Sequence, residues 1–312
     1  MTLEACLPPH LQGSSTITRI AAGLSGAGVY RVEVASQTFV LKVGVDTEPF
    51  TSWERRARIL AVAAEAGVAP LVVHVDEDRR AVLSAFVIDR SFPALYANPS
   101  TRERAIELLG GLLRRVHELP IPPDTPSVDQ RDVLASVWSK VSGAFTVPAF
   151  ARDAIERVLA EKAPPQERSS VLSHNDVNPT NLTYDGERLM LLDWDSAGAN
   201  DPLYDLAAIS VFLRMDAAAC RALLEAHDGG SIAELPARFA YDQRFVAVFC
   251  GAVFLHLARH GGHAGALPEE TLEATPSLGD LYARMRTGTF NVGSPAGQWA
   301  FGLALIKESI AP

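Results

Sequence analysis

A polar loop enclosed by apolar segments is the feature that most constrains how this chain folds. The short β-favouring run Val171–Ser173 is followed at once by His174, Asp176 and Asn181, in the spacing His-x-Asp-x4-Asn. A turn and a second apolar run then lead into Asp193. Single Asp and Asn residues in loops usually form turns. Turn formation alone does not explain why a carboxylate, Asp193, directly follows a buried strand. The loop and Asp193 together therefore indicate a functional site at the ends of strands.

The residue types in this loop are those that phosphoryl transfer uses. The reaction needs a carboxylate that orients or deprotonates the attacking hydroxyl, and oxygen ligands that hold magnesium against the phosphates. Magnesium prefers hard oxygen donors. We therefore predict that Asp176 faces the acceptor hydroxyl while Asn181 and Asp193 share the metal. For His174 a structural role is favoured, in which the ring bonds to backbone and braces the loop.

The periodicity of the apolar residues changes at about residues 88–100. Short β-favouring runs and one amphipathic helix precede this point, and helical periodicity dominates after it. The pattern predicts an α+β chain that divides into residues 1–88 and 89–312. Strands are predicted at 16–21, 29–34, 38–43, 71–75, 81–88, 171–173 and 189–192, and helices at 52–66, 101–119, 128–144 and 148–162, with a mostly helical remainder beyond 201.

Three motifs in one order carry a resemblance to a known family. The His174–Asn181 loop, the pair Asp193-Trp194 and the run Asp201-Pro202-Leu203-Tyr204-Asp205-Leu206-Ala207 are similar to motifs of the aminoglycoside phosphotransferase and choline/thiamine kinase superfamily. The resemblance implies a bilobal protein-kinase-like fold. Its small N-terminal lobe, an antiparallel sheet plus a helix, would bind ATP, and its larger, mainly helical C-terminal lobe would bind the acceptor. ATP and Mg²⁺ are the implied cofactors. Asp201 and Asp205 are expected to cap a helix and anchor the loop.

Lys42 interrupts an otherwise apolar run in the N-terminal half, Phe39–Val43. A kinase needs a cation for the α- and β-phosphates, held by a carboxylate on a helix. The family places such a Lys–Glu pair on this strand and the following helix, which implies Glu54 as the partner of Lys42, with Glu48 as an alternative. The competing interpretation is a lysine on an edge strand that extends to water.

A glycine-rich segment, residues 23–28, separates the first two predicted strands. Small residues let backbone amides approach phosphate oxygens, so Ser25, Gly26 and Gly28 are candidate ATP contacts. Glycine hairpins are also common without any ligand. In the resembled fold the strand over 81–88 leads into a hinge, which implies that backbone groups near Ser84 and Phe86 bind adenine.

The acceptor implied by the resemblance is small and in many relatives cationic. Carboxylates and aromatic faces hold such cations, and Asp195 and Trp194 are the predicted acceptor contacts. The stripe Tyr241, Phe245 and Phe249 is more typical of a helix core than of a ligand cage. The loop resembles the choline and thiamine kinase branch more than the drug-resistance enzymes, which often have Gly in place of Asn175. Further candidates are Asp216, Asp242 and Trp299.

Other functions compete with a small-molecule kinase. In a metal-dependent hydrolase, His174, Asp176, Asp193 and Asp195 would be metal ligands, but Lys42 and Glu54 would then have no task. A catalytically inactive kinase-like binding module is a second alternative. Protein kinase activity is a third. A peptide-docking segment would lie between Asp193 and Asp205, but few residues separate these two positions.

Bulk properties narrow the class of protein. The formal net charge is −9 and no basic cluster is present, which argues against nucleic-acid binding. Three distant cysteines indicate no disulfide framework and favour a reducing compartment. The first residues lack the features of a signal peptide, and the longest apolar run is too short to span a bilayer. We expect a cytoplasmic monomer or homodimer with a small-molecule partner and no membrane association.

Overall fold

The computed structural model describes residues 2–20, 28–45, 47–125, 129–143, 145–267 and 269–310. It is an α+β structure, as predicted. The chain divides into two compact units, which are described separately below. The first comprises Met1–Pro126, Ser170–Asn200 and Ala222–Ser231, and the second comprises Ser127–Ser169, Asp201–Arg221 and Ile232–Pro312. The predicted boundary at 88–100 therefore falls inside the first unit.

An antiparallel sheet forms the N-terminal part of the first unit. Among the described residues it has five strands in the order β1-β2-β3-β5-β4. β3 lies between β2 and β5, with Lys42 opposite Val29 and Val82, so Lys42 is not on an edge strand. The strands are β1 (Thr16–Arg19), β2 (Gly28–Val34), β3 (Gln37–Val43), β4 (Val72–Asp76) and β5 (Ala81–Ala85).

Alternation along these strands buries one face of the sheet. Val32, Leu41 and Leu83 are fully buried and pack with Cys6 and Leu7 of the N-terminal segment. Because successive strand residues point to opposite faces, Lys42 lies on the face opposite Leu41. The apolar packing of one face therefore directs the lysine toward the other.

The rest of the first unit carries the helices and short strands that hold the polar loop. Two two-stranded ladders flank this loop, β6 with β9 and β7 with β8. The hairpin β7–β8 turns at Asp185-Gly186, and Gly186 takes the left-handed φ of 106°. The elements are α1 (Phe50–Glu65), α2 (Phe92–Ala97), α3 (Arg102–His117), β6 (Val171–Ser173), β7 (Leu182–Tyr184), β8 (Leu189–Leu191) and β9 (Gly198–Asn200).

The second unit is helical, and its core confirms the interpretation of the aromatic stripe. Tyr241 and Phe245 are buried, and Phe249 packs against the same cluster. Their rings stack in sequence at centroid distances of 6.1 and 6.0 Å. Its helices are α4 (Gln130–Ser142), α5 (Ala149–Ala160), α6 (Pro202–Phe212), α8 (Ala237–His260), α9 (Leu278–Arg286) and α10 (Pro295–Glu308), and the remaining helix, α7 (Ala217–Asp228), has residues in both units.

Most predicted elements are present with ends shifted by one to three residues, while α2, β7 and β9 were not predicted. Short elements such as these bury too little apolar surface to leave a periodic pattern. The three cysteines are free thiols. No helix in the described ranges is long and apolar enough to cross a membrane.

Candidate active site

Lys42 is the centre of the candidate site. Its Nζ lies 2.7 Å from Oδ1 of Asp193 and 2.7 Å from Oδ2 of Asp195. Burial alone lowers the pKa of Lys42, but the charges of Asp195 and Asp193 outweigh burial and raise the pKa overall. The structure thus joins a strand lysine to the loop after β8, across 151 positions of sequence.

The helix α1 does not supply the partner that was predicted for Lys42. Glu54 is exposed, and the two carboxylates in the described chain that pair with Lys42 are those of Asp193 and Asp195. The physical reason is helix geometry. Glu54 precedes Arg56 by two residues, which places their side chains roughly 200° apart around the helix axis. Arg56 is therefore the α1 residue that faces the site, where its Nε lies 3.4 Å from Oδ1 of Asp195.

Glu48, the alternative partner, is also not bonded to Lys42. Its carboxylate pairs with the Arg56 guanidinium through two contacts. Asp195 was predicted to hold the acceptor, but its two oxygens are engaged by Lys42 and Arg56. Its carboxylate is therefore part of an ion-pair chain rather than an open cation site.

Asp176 and Asn181 lie together in the polar loop. The amide nitrogen of Asn181 donates to Oδ2 of Asp176 at 2.8 Å, and the amide nitrogen of Asn178 donates to Oδ1 at 3.0 Å. The Asp176 side chain is open to solvent, yet desolvation by the surrounding protein raises its pKa, with a smaller contribution from the Asp193 charge. His174 and the two amides oppose this rise. The result is a held, accessible carboxylate that binds a proton more readily than a free Asp.

The donor set fits a magnesium ion. Because the Asn181 nitrogen is committed to Asp176, the group that Asn181 can offer a cation is its amide oxygen. Asp193 uses Oδ1 for Lys42 and retains Oδ2. One carboxylate and one amide, completed by phosphate oxygens and water, match the usual magnesium environment.

The hydrolase alternative named His174, Asp176, Asp193 and Asp195 as metal ligands. No group of three or more His, Cys, Asp or Glu side chains that could hold a metal occurs in the described part of the chain. His174 is fully buried, with Nε2 bonded to the Leu192 carbonyl oxygen at 2.9 Å. This places His174 in the bracing role predicted for it.

Trp194, which was predicted to contact the acceptor, packs inside the protein. Its side chain is 2% exposed, its Nε1 donates to the Leu191 carbonyl at 3.0 Å, and its ring meets that of His174 edge-on at 5.0 Å. A ring packed in this way has no open face for a cation. The two residues together support the backbone that carries Asp193.

Asn175 is a site residue that the sequence reasoning did not identify. Its φ is 62°, in the left-handed region. Its amide nitrogen donates to the Ser196 carbonyl at 3.1 Å, and its amide oxygen accepts from Asn200 at 2.8 Å. Asn175 thereby ties the polar loop to the segment after Asp193. Asn tolerates a positive φ better than most residues, so an Asn between the His and the Asp of the loop was the signal that could have identified the residue.

A cavity of about 1070 Å³ in the first unit opens beside Lys42. Val29, Val40 and Leu191 contribute apolar walls, and Ser84 and Phe86 line the same space. The amides of residues 85 and 86 already donate to the carbonyls of residues 71 and 38. The predicted backbone donors near Ser84 and Phe86 are therefore already bonded within the protein at residues 85 and 86.

Several other predicted residues have structural environments or lie outside the structure. Gly28 begins β2, whereas Ser25 and Gly26 lie outside the described residues. Asp201 caps α6 by accepting from the Leu203 amide at 2.9 Å, as predicted, and Asp205 is fully buried in that helix. The remaining acceptor candidates also have protein partners: Asp216 accepts from the Ala219 amide, Asp242 pairs with Arg238, and Trp299 donates to Glu270.

The α+β fold and the lysine–aspartate site define a protein of the kinase-like phosphotransferase class. The sequence model of the phosphotransferase enzyme family matches residues 16–243. The chain belongs to this family, and the prediction of a small-molecule kinase is confirmed at that level.

Solved structures of similar fold agree with this family. A choline/ethanolamine kinase family protein from Mesorhizobium loti is 21% identical, with a TM-score of 0.59, over 98% of this chain and 98% of that one. A type VIII aminoglycoside-3'-phosphotransferase is 22% identical, with a TM-score of 0.55, over 76% of this chain and 94% of that one. These likenesses confirm the protein-kinase-like fold.

A shorter match links the chain to Protein LicA of Haemophilus influenzae. The two are 39% identical over 54 residues, which is 17% of this chain and 20% of that protein. The match therefore spans about a fifth of the curated relative's length.

Proposed function

We propose that this protein transfers the γ-phosphate of ATP to a hydroxyl of a small, cationic molecule, with Mg²⁺ bound by Asn181 and Asp193. The observation that carries the proposal is the pairing of Lys42 with Asp193 beside the bonded pair of Asp176 and Asn181. These groups are the set that phosphoryl transfer requires. The apolar cavity next to Lys42 is large enough for a nucleotide.

Each residue has a defined task in the proposed reaction. Asp176 accepts the proton of the acceptor hydroxyl as its oxygen attacks the γ-phosphorus. The bond to the β–γ bridging oxygen breaks, and ADP leaves with the electron pair. Lys42 binds the α- and β-phosphates and stabilises the leaving group. Mg²⁺, when bound, neutralises charge on the phosphate oxygens.

The choice of a cationic acceptor rests on the similar proteins. One protein of similar fold is a choline/ethanolamine kinase family protein and another is an aminoglycoside phosphotransferase. Choline is a cation, and ethanolamine and aminoglycosides carry amines. The net charge of −9 also favours cationic ligands through the long-range field.

The proposed base is tested by Asp176→Asn, with Asp185→Asn in the nearby hairpin turn as the matched control. ATP consumption is measured against choline, ethanolamine, thiamine and aminoglycosides. Asp176→Asn should lower kcat by ~10²-fold or more, because it removes the proton acceptor, while ATP binding is retained. The control should keep wild-type turnover. Near-wild-type turnover of Asp176→Asn would refute the assignment, and a wild-type protein that binds ATP but phosphorylates no acceptor would support an inactive binding module.

A further inference from the structure

An ion-pair chain runs from α1 to the lysine of the site. The guanidinium of Arg56 contacts Glu48 on one side and Oδ1 of Asp195 on the other, and Oδ2 of Asp195 contacts Lys42 at 2.7 Å. All four side chains are partly buried, with exposed fractions between 12% and 32%. Asp195 therefore lies between two cations that come from different elements, β3 and α1.

The arrangement reverses the charge expected from the helix. A kinase lysine is ordinarily oriented by a helix carboxylate, whereas α1 presents Arg56 toward the site. An arginine cannot orient Lys42 directly, because both side chains are positive. Arg56 can act through a carboxylate between them, and Asp195 occupies that position.

The planar guanidinium suits this task. It presents several donors in a fixed fork and can hold two carboxylates at once. Glu48 fixes one side of the Arg56 guanidinium and so sets its orientation independently of Asp195. Asp193 is the proposed metal ligand, which leaves Asp195 as the carboxylate available to orient Lys42.

We propose that Arg56 is a positioning residue that holds Asp195 against Lys42, so that Asp195 replaces the helix carboxylate as the partner of the phosphate-binding lysine. This inference rests on the proposed function, since it assigns Lys42 to the phosphates of ATP. It also gives Asp195 a role in ATP binding and none in acceptor binding.

A double-mutant cycle tests the inference. Arg56→Gln, Asp195→Asn and the double variant are compared with wild type in Mg·ATP affinity by titration calorimetry, and in the separate KM values for ATP and acceptor. Each single variant should weaken ATP binding by roughly 10-fold, and the double variant should be no weaker than the poorer single one, because contacting residues are strongly coupled. The KM for the acceptor should stay unchanged.

Two further variants separate positioning from a general effect on folding. Arg56→Lys keeps the positive charge but lacks the fork that holds Glu48 and Asp195 together, so it should recover only part of the ATP binding that Arg56→Gln loses. Arg58 pairs with Asp124 on the exposed side of the same helix. The control variant Arg58→Gln should therefore bind ATP as wild type does. If Arg56→Gln does not fold, Glu48→Gln removes the other anchor of Arg56 and should weaken ATP binding in the same direction.

The outcomes distinguish this inference from the proposed function. If the losses of Arg56→Gln and Asp195→Asn multiply in the double variant, Arg56 does not act through Asp195 and the inference is wrong. A rise in the acceptor KM with Asp195→Asn would return Asp195 to the acceptor site and also overturn it. A wild-type protein that binds no Mg·ATP would remove the proposed function, and this inference with it.

Discussion

Two residues of the site have left-handed backbone conformations. Asn175 has φ 62° and Asp193 has φ 57°. This region costs most residues about 1–2 kcal/mol, and Asn and Asp tolerate it best because their short side chains bond locally. Asn175 recovers part of the cost through its bonds with Ser196 and Asn200. The backbone strain is thus located where the loop must direct its polar side chains.

Substitutions at Asn175 should separate backbone strain from side-chain bonding. Asn175→Gly keeps the left-handed backbone and loses two hydrogen bonds, a cost of about 1–2 kcal/mol. Asn175→Val loses the same bonds and adds the strain of a β-branched residue, roughly 1–2 kcal/mol more. Urea denaturation should therefore rank wild type, Gly and Val in decreasing stability. A Gly variant less stable than the Val variant would contradict the strain assignment.

Asp242 makes stability depend on pH. Burial raises the pKa of Asp242 to about 6, even though Arg238 donates to both of its oxygens at 3.0 Å. The folded state therefore holds the Asp242 proton at pH values where the unfolded chain, with the ordinary pKa of 3.8, has released it. Because the folded state binds more protons in this window, its stability falls as pH rises from about 4 to about 6.

The comparison with Asp242→Asn isolates this contribution. Relative to the variant, which does not titrate, the free energy of unfolding of the wild type should decrease by about 2 kcal/mol between pH 4 and 6, since the full effect of ~1.4 kcal/mol for each unit of pKa is reached only over a wider pH range. Chemical denaturation at a series of pH values measures the difference. A difference that stays constant across this range would show that Asp242 does not titrate there.

At the scale of elements, the close approach of α8 and α10 depends on glycine. A Cβ added to Gly251 would lie 2.5 Å from Cγ1 of Ile306 and 2.9 Å from the carbonyl oxygen of Gly302. A Cβ on Gly302 would likewise lie 2.8 Å from the Gly251 carbonyl oxygen. The two helices can therefore pack at this distance only because both side chains are absent.

Gly251→Ala should destabilise the protein by about 1–3 kcal/mol, the typical cost of overpacking a core. Gly111→Ala, inside α3, is the matched control, because a Cβ at that position meets nothing within 4 Å. The control should stabilise by about 0.4–1 kcal/mol, since alanine restricts the unfolded chain. The melting temperature should fall for Gly251→Ala and rise for Gly111→Ala. A change in the same direction for both variants would contradict the packing argument.

At the scale of the molecule, the site is assembled from segments that are distant in sequence but belong to one compact unit. Lys42 comes from β3, Arg56 from α1 and Asp193 from the segment after β8. A ligand that binds this assembly stabilises the folded state by mass action. The unfolded chain lacks the assembled site, so the ligand does not stabilise it.

Mg·ATP should therefore raise the melting temperature of the wild type. At 100 times the dissociation constant, the expected stabilisation is about 2.7 kcal/mol. Asp193→Ala removes the proposed metal ligand and should abolish the magnesium-dependent part of the shift, whereas Asp185→Asn should retain it. Equal shifts with and without magnesium in the wild type would contradict the metal assignment.

The sequence by itself determined the residues whose positions follow from local spacing. The loop from His174 to Asn181 and the carboxylate of Asp193 lie at strand ends, and Lys42 lies within a strand, so short-range periodicity was enough to place them relative to the strands. The α+β class and most helices followed for the same reason, because apolar periodicity is a local property of the chain.

Only the tertiary structure decided which charges meet. The rotation of α1 about its own axis turned Arg56 toward the site and Glu54 toward solvent, and two residues along a helix are enough to reverse this choice. The segment after β8 lies beside β3 in the folded chain, and this placed Asp195 between Lys42 and Arg56. Pairing across such separations depends on how elements pack, and that information is distributed over the whole core rather than written in any one segment.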